Sequence, residues 1–331
     1  MIKSSAPTRI DLAGGTLDIW PIYHLLGNPP TLNAAISLFA KVQLSPLKGK
    51  SLVVESLDLN LKAKFTSVDT LPNKHPLALI LETIRFYRPK GGLKITTHCQ
   101  APAGSGIGGS SALAIALNGA LNKLTDSRYN RHQMLEIARN VETSVIRVPG
   151  GWQDFFPASY GGVREIKPNM ARVESFPIPL DLKLLTKRFV LCFTGKPRQS
   201  GINNWEVMKK VLDGNHHVWK KLNGIGDIAR KMEKELRKGA VESIARLLNE
   251  EWELRKSLAA GITTPEMNHL ILIAKKNGAL AAKVCGAGGG GCIAFFVEPG
   301  AKARVENALN KNKGNVLTFH FVKRGMMVQN D

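Results

Sequence analysis

Cysteine is scarce in this chain: Cys99, Cys192, Cys285 and Cys292 are the only four among 331 residues, and no two stand in a C-x-x-C pair. That excludes a disulfide-stapled scaffold and a zinc ribbon, and predicts reduced thiols in a cytoplasm. Acidic residues are also few, 26 against 46 Lys and Arg, which leaves a formal net charge of +20. The surplus admits an anionic partner or a solvated basic face. Lys209, Lys210, Lys220, Lys221, Lys231 and Lys234 are spread through helix-like segments and interrupted by Glu206, Asp213, Asp227 and Glu233. No zinc-finger spacing or RRM-type aromatic signature accompanies them, so nucleic acid is disfavoured as a partner. No apolar run approaches about 18 residues, which argues against a transmembrane helix. Arg9 and Asp11 interrupt the N-terminus where a signal peptide needs an apolar stretch, so neither membrane nor export is expected. Internal repeats and low-complexity segments are absent, and no feature specifies an oligomeric state.

What is present describes a globular chain, 44% hydrophobic, long enough for two domains with sizeable cores. Strand-like runs are predicted at 34–42, 52–55, 59–65, 93–99 and 189–193, and helices at 75–86, 110–124 and 131–145. Val241, Ile244, Leu248 and Trp252 recur at helical spacing and read as a core stripe. Another amphipathic helix runs through Met267, Leu270, Ile271 and Ala274 towards a C-terminal glycine, Gly278. Pro177-Ile178-Pro179 marks the expected domain boundary, giving domains of 1–178 and 179–331.

The segment Pro102-Ala-Gly-Ser-Gly-Ile-Gly-Gly-Ser-Ser-Ala-Leu113 carries the strongest functional signal. It joins the strand through Leu93, Ile95, Thr97 and Cys99 to a helix rich in small residues. A glycine-rich turn there lets backbone N–H groups converge on an anion at the positive end of the helix dipole. The letters exclude several loops built on that logic. Gly104, Gly106 and Gly109 fit G-x-G-x-x-G, but no second strand ending in an acid follows as a dinucleotide site requires. A Walker A loop needs Lys after its last glycine, whereas Ser110 and Ser111 stand there. The V-A-I-K and H-R-D segments of protein kinases are missing. A turn that merely packs remains the bland alternative.

This loop resembles that of the GHMP kinases, the galactokinase, homoserine kinase and mevalonate kinase group, in its sugar-kinase form. Two further segments match that family in the expected order: Ala6-Pro-Thr-Arg-Ile-Asp-Leu-Ala-Gly-Gly15 and Lys283-Val-Cys-Gly-Ala-Gly-Gly-Gly-Gly291. The resemblance implies an α+β, two-domain architecture, a ribosomal-S5-like N-terminal domain and a ferredoxin-like C-terminal domain with the site between them. It also implies ATP and Mg²⁺ as cofactors and a sugar or sugar phosphate as substrate. Nucleotide contacts are then expected from Pro102, Gly104, Ser105, Gly106, Ile107, Gly108, Gly109, Ser110 and Ser111. Metal ligands are expected at Ser110 and Glu142, with Ser111 as the alternative because the extra serine shifts the alignment by one.

By the same resemblance Asp154, in Gly150-Gly-Trp-Gln-Asp154, is the expected catalytic base, assisted by Arg9. Gly14, Gly15, Asp18, Gly151, Asp154, Gly286, Ala287, Gly288 and Gly289 are the expected substrate contacts. The first segment separates branches: galactokinases carry Glu-His where Gly15 and Thr16 stand, and mevalonate kinases carry Lys at Arg9. The nearer match is the A-G-G-G-T-D of heptose-phosphate kinases, from which Thr16-Leu17-Asp18 departs. Trp152 and Phe155 stand where that branch has Lys and Gln. The segment 247–258 is similar to its L-L-x-E-x-W-x-x-K-x-L. The expectation is an ATP-dependent kinase of an anomeric hydroxyl, with a heptose 7-phosphate as acceptor. An unphosphorylated fucose-, arabinose- or galactose-like sugar is the alternative, and a non-catalytic nucleic-acid-binding protein the remote one.

Overall fold

The computed structural model describes residues 1–197 and 202–330, apart from the side chains of 202 and 203. An eight-stranded sheet is built from β1 (Ile2–Ala13), β2 (Thr31–Leu47), β3 (Leu52–Ser56), β4 (Leu61–Phe65), β5 (Gly92–Cys99), β6 (Val163–Pro168), β7 (Val173–Ile178) and a last strand, β12 (Met327–Asn330). Its order is β12-β1-β2-β5-β3-β4, with β6 and β7 continuing from the other half of β2. Every pairing is antiparallel except β3 with β5. Pro177, expected at a boundary, lies within β7 opposite Arg164. Proline lacks the ladder donor, and β7 tolerates it as an edge strand.

Helices α1 (Ile22–Leu25), α2 (Ala78–Tyr87), α3 (Gly109–Thr125), α4 (Arg131–Ile146) and α5 (Phe155–Tyr160) accompany this sheet. The small residues of α3, Ala112, Ala114, Ala116 and Ala120, are fully buried, which lets the helix lie close against β1 and β2. Asn130 starts α4 with a reciprocal capping box: it accepts from the Gln133 N–H at 3.0 Å and Gln133 Oε1 accepts from its N–H at 2.9 Å.

The second sheet, order β11-β8-β10-β9, is fully antiparallel: β8 (Phe189–Phe193), β9 (Ala279–Val284), β10 (Cys292–Val297) and β11 (Asn315–Val316). With it go α6 (Leu182–Arg188), α7 (Ile202–Leu212), α8 (His216–Arg237), α9 (Ser243–Arg255), α10 (Pro265–Lys276) and α11 (Lys302–Lys311). The predicted core stripe of Ile244, Leu248 and Trp252 is buried on α9. One apolar cluster crosses between the sheets, joining Ile10, Leu12 and Leu32 to Phe189, Leu191, Phe296 and the α8–α9 pair. Among the described residues no helix is long and apolar enough to cross a membrane.

Candidate active site

The glycine-rich loop connects β5 to α3 as its sequence predicts. Gly108 is the N-cap of α3 with φ 78°, and it offers no side chain to the first helical N–H groups, which remain available to an anion. A Cβ at Gly108 would lie 3.2 Å from Asp154, a tight approach that adds to the preference of this positive φ for glycine. Beside the loop is a cavity of about 300 Å³. Gly104, Gly106, Ser110 and Asp154 line it together with Leu59, Leu77, Leu79 and Ile80. A lining that combines polar loop backbone with aliphatic side chains suits phosphates and a flat base. Ile107 turns its side chain fully into the core, so it can meet the site only through its backbone, whose carbonyl accepts from the Arg9 backbone N–H at 3.0 Å. A larger groove of about 470 Å³ lies at Lys3, Lys41 and Gln43 on the first sheet and contains none of the expected site residues.

Glu142, on α4, brings a buried carboxylate to the start of α3. Ser110 donates to its Oε1, and Ser111 donates to Oε2 at 2.7 Å. Ser111 is buried whereas Ser110 is exposed and lines the cavity. Hydroxyl and carboxylate oxygens are the hard donors Mg²⁺ takes, so these residues fit the ion. Among the described residues there is no group of three or more His, Cys, Asp or Glu able to hold a metal. A cation here would draw its remaining ligands from phosphates and water, as Mg²⁺ commonly does.

Arg9 projects from β1, with 1% of its surface exposed. It donates to Gly106 O at 2.8 Å and to Asp154 Oδ1, which locks the phosphate loop and the 150–154 turn together. Burial works against the guanidinium charge, but Asp154 and Asp11 outweigh it and raise its pKa. Asp18 is fully buried, and its Oδ2 accepts from the N–H groups of Trp152 and Gln153, the latter at 2.7 Å. Gly151 must lack a Cβ because the Asp18 carboxylate occupies that space. Asp18 Oδ1 has no protein partner. Burial, with the nearby charge of Asp154 adding to it, pushes Asp18 up to about 6 against the pull of the two N–H groups.

Below Gly14 and Gly15 lies a cluster of buried charges that the sequence reading did not assign. Lys283, on β9, stands 3.1 Å from Asp11 Oδ2 and also pairs with Glu251 Oε2. Glu251 Oε1 accepts from Arg255 at 3.0 Å and from Gly14 N–H at 3.2 Å. Arg255 donates in turn to Gly15 O and, at 3.2 Å, to Thr16 Oγ1. Burial alone would raise Asp11; Lys283, Arg255 and Arg9 together bring it below the usual carboxylate range. Asp11 and Lys283 each belong to a recognised segment, and their charge within a buried strand is the signal that could have found them.

The turn through Gly286, Ala287, Gly288 and Gly289 follows β9 and the buried Cys285. Gly289 N–H donates to Ile262 O at 3.0 Å. At the far end of the same turn, Cys292 N–H donates to Ser105 O at 2.7 Å, seating it against the phosphate loop. The three segments therefore meet at one place.

Comparison with known proteins identifies the family. The model of the GHMP kinases N terminal domain matches residues 77–162, and that of the GHMP kinases C terminal matches residues 232–315. The D-glycero-alpha-D-manno-heptose 7-phosphate kinase of Campylobacter jejuni is 28% identical, over 98% of this chain and 98% of its own length. The L-fucokinase/L-fucose-1-P guanylyltransferase of Bacteroides fragilis is 26% identical over 95% of this chain, which spans 36% of that protein. Among solved structures, a D-glycero-D-manno-heptose 1-phosphate kinase from Bacteroides thetaiotaomicron superposes with a TM-score of 0.81 at 27% identity, covering 100% of this chain and 99% of its own.

Proposed function

The chain belongs to the GHMP kinases, and on that premise we propose that it transfers the γ-phosphoryl group of ATP to the anomeric hydroxyl of a heptose 7-phosphate. The family makes it an ATP-dependent phosphotransferase acting on sugar hydroxyls. The observation that carries the acceptor site is the Arg9–Asp154 pair at the phosphate loop, with the buried, unshared Asp18 Oδ1 beside it.

The N–H groups of the loop and the start of α3 would hold the nucleotide's phosphates, and Leu59, Leu77 and Ile80 would offer its base an apolar surface. Mg²⁺, when bound by Ser110 and Glu142 with Ser111 behind them, neutralises charge on the phosphates. Asp154 accepts the proton of the attacking hydroxyl as the new O–P bond forms and the bond to the ADP oxygen breaks. Such a base contributes about 10²–10⁴-fold. Arg9 fixes one Asp154 oxygen, leaving the other to take the proton. Asp18 Oδ1 receives a hydrogen bond from a neighbouring sugar hydroxyl, and Gly14, Gly15, Gly151 and the 286–289 turn form the walls. Positioning and charge neutralisation supply most of the catalysis in such transfers.

An unphosphorylated sugar of fucose, arabinose or galactose type is the second reading. It is favoured by the fucokinase relative and by Trp152, a buried aromatic residue in the turn that seats Asp18. The domains divide after Ile178, where β7 ends, with β12 crossing back to the first sheet. The scarcity of cysteine, four in 331 residues with no C-x-x-C pair, favours a cytoplasmic setting. The test is ADP release with Mg·ATP across heptose 7-phosphates, free hexoses, fucose, arabinose and mevalonate, followed by NMR of the product to find the phosphorylated carbon. Turnover confined to a heptose 7-phosphate, lost in Asp154→Asn while ATP still binds, is expected. Turnover on a free sugar alone transfers the assignment to the second reading.

A further inference from the structure

Thr16 has φ 73°, and among the described residues it is the only β-branched one in the left-handed region. Branching at Cβ makes that conformation costly, so the surroundings must hold it. They do so from the other half of the molecule. Thr16 is buried, and its Oγ1 accepts from Arg255 on α9 at 3.2 Å and donates to Asn204 Oδ1 on α7 at 3.1 Å. Arg255 also grips Gly15 O, and its partner Glu251 takes the Gly14 N–H at 3.2 Å. Two residues beyond Thr16 the chain delivers Asp18, whose Oδ2 is seated on the N–H groups of Trp152 and Gln153. Strain, two helices and the acceptor carboxylate thus meet in one five-residue turn.

We propose that Thr16 is a positioning residue: its hydroxyl, clamped between Arg255 and Asn204, holds the Gly14–Asp18 turn in a strained form that keeps Asp18 aimed at the acceptor. Helices α7 and α9 thereby set acceptor affinity without touching the acceptor. The inference rests on the acceptor site described under the proposed function, but not on which sugar fills it.

Three variants test it: Thr16→Gly, Thr16→Ser and Thr16→Val. Glycine adopts the turn without strain but cannot be clamped; serine keeps the hydroxyl; valine keeps the shape without it. Kinetics with whichever acceptor the unaltered protein uses best should show kcat/KM for the acceptor falling about tenfold or more in Thr16→Gly and Thr16→Val. KM for ATP should stay unchanged, and Thr16→Ser should retain ordinary values. Thr16→Gly should melt no lower than the parent, which separates lost positioning from lost folding. Amide exchange at Trp152 and Gln153, which needs no substrate, should accelerate in Thr16→Gly and not in Thr16→Ser. Unchanged exchange together with unchanged acceptor kinetics in Thr16→Gly overturns the proposal. If no sugar is turned over, the functional reading fails and the exchange measurement decides the clamp by itself.

Discussion

Asp18 carries its charge into full burial, and the consequence is measurable. Burial comes first in pushing it up to about 6, from an ordinary value near 3.8 in the unfolded chain. A carboxyl whose folded pKa is raised holds its proton more tightly when folded. Its contribution to stability is therefore complete below about pH 4 and is lost as pH rises through about 6. At pH 8 the ionised carboxylate costs on the order of 3 kcal/mol. Asp18→Asn has no such charge, and its amide oxygen can still accept from Trp152 and Gln153. Urea unfolding at pH 8 should find the variant more stable than the parent by up to that amount, with the difference gone at pH 4. The same variant should lose acceptor binding, because its amide NH2, a donor, then stands where Oδ1 would accept from the sugar hydroxyl. A stability difference that is equal at both pH values would refute the link to ionisation.

At the scale of elements, α3 and α4 divide the work between an exposed serine and a buried one. Ser110 lines the cavity and Ser111 faces inward, yet both bond Glu142. Ser110→Ala should raise the Mg²⁺ needed for half-maximal ADP release by about 10–100-fold, with Ser111→Ala giving the smaller change. A Mg²⁺ titration in which Ser111→Ala is the more severe would reverse the assignment. The loop and its helix were legible in the sequence because glycine spacing and small helix residues are local signals. So was the strand through Leu93, Ile95 and Thr97, whose alternation meets a single buried face. The β6–β7 hairpin was not, because Pro177 reads locally as a break and becomes admissible only at a sheet edge. Four-residue β12 carries no local pattern; its pairing with β1 exists only in the folded chain. Arg255 was hidden for a related reason. Between Glu253 and Lys256 it looks like part of a solvated face, and only packing of α9 against the Gly14–Thr16 turn buries it.

At the scale of the whole molecule, the two sheets share apolar contacts, but the charges below the acceptor turn specify how they meet. Asp11 comes from the first sheet, Lys283 from the second, and Glu251 and Arg255 from α9. Lys283 is the cation between two carboxylates that are themselves almost wholly excluded from water. A buried ion pair gains little over well-packed apolar residues, whereas removing one partner strands the other in low dielectric. Lys283→Met therefore leaves Asp11 and Glu251 facing each other with only Arg255 and Arg9 to compensate. Denaturant unfolding should show a loss of about 3–5 kcal/mol. Because the cluster also holds Gly14 N–H and Gly15 O, acceptor turnover should fall before the protein unfolds, while nucleotide binding to the loop between β5 and α3 persists. A Lys283→Met protein as stable as its parent would mean that the two halves are held by their apolar contacts alone. The buried charges would then be dispensable for joining the halves, and their remaining role would be the shape of the acceptor turn.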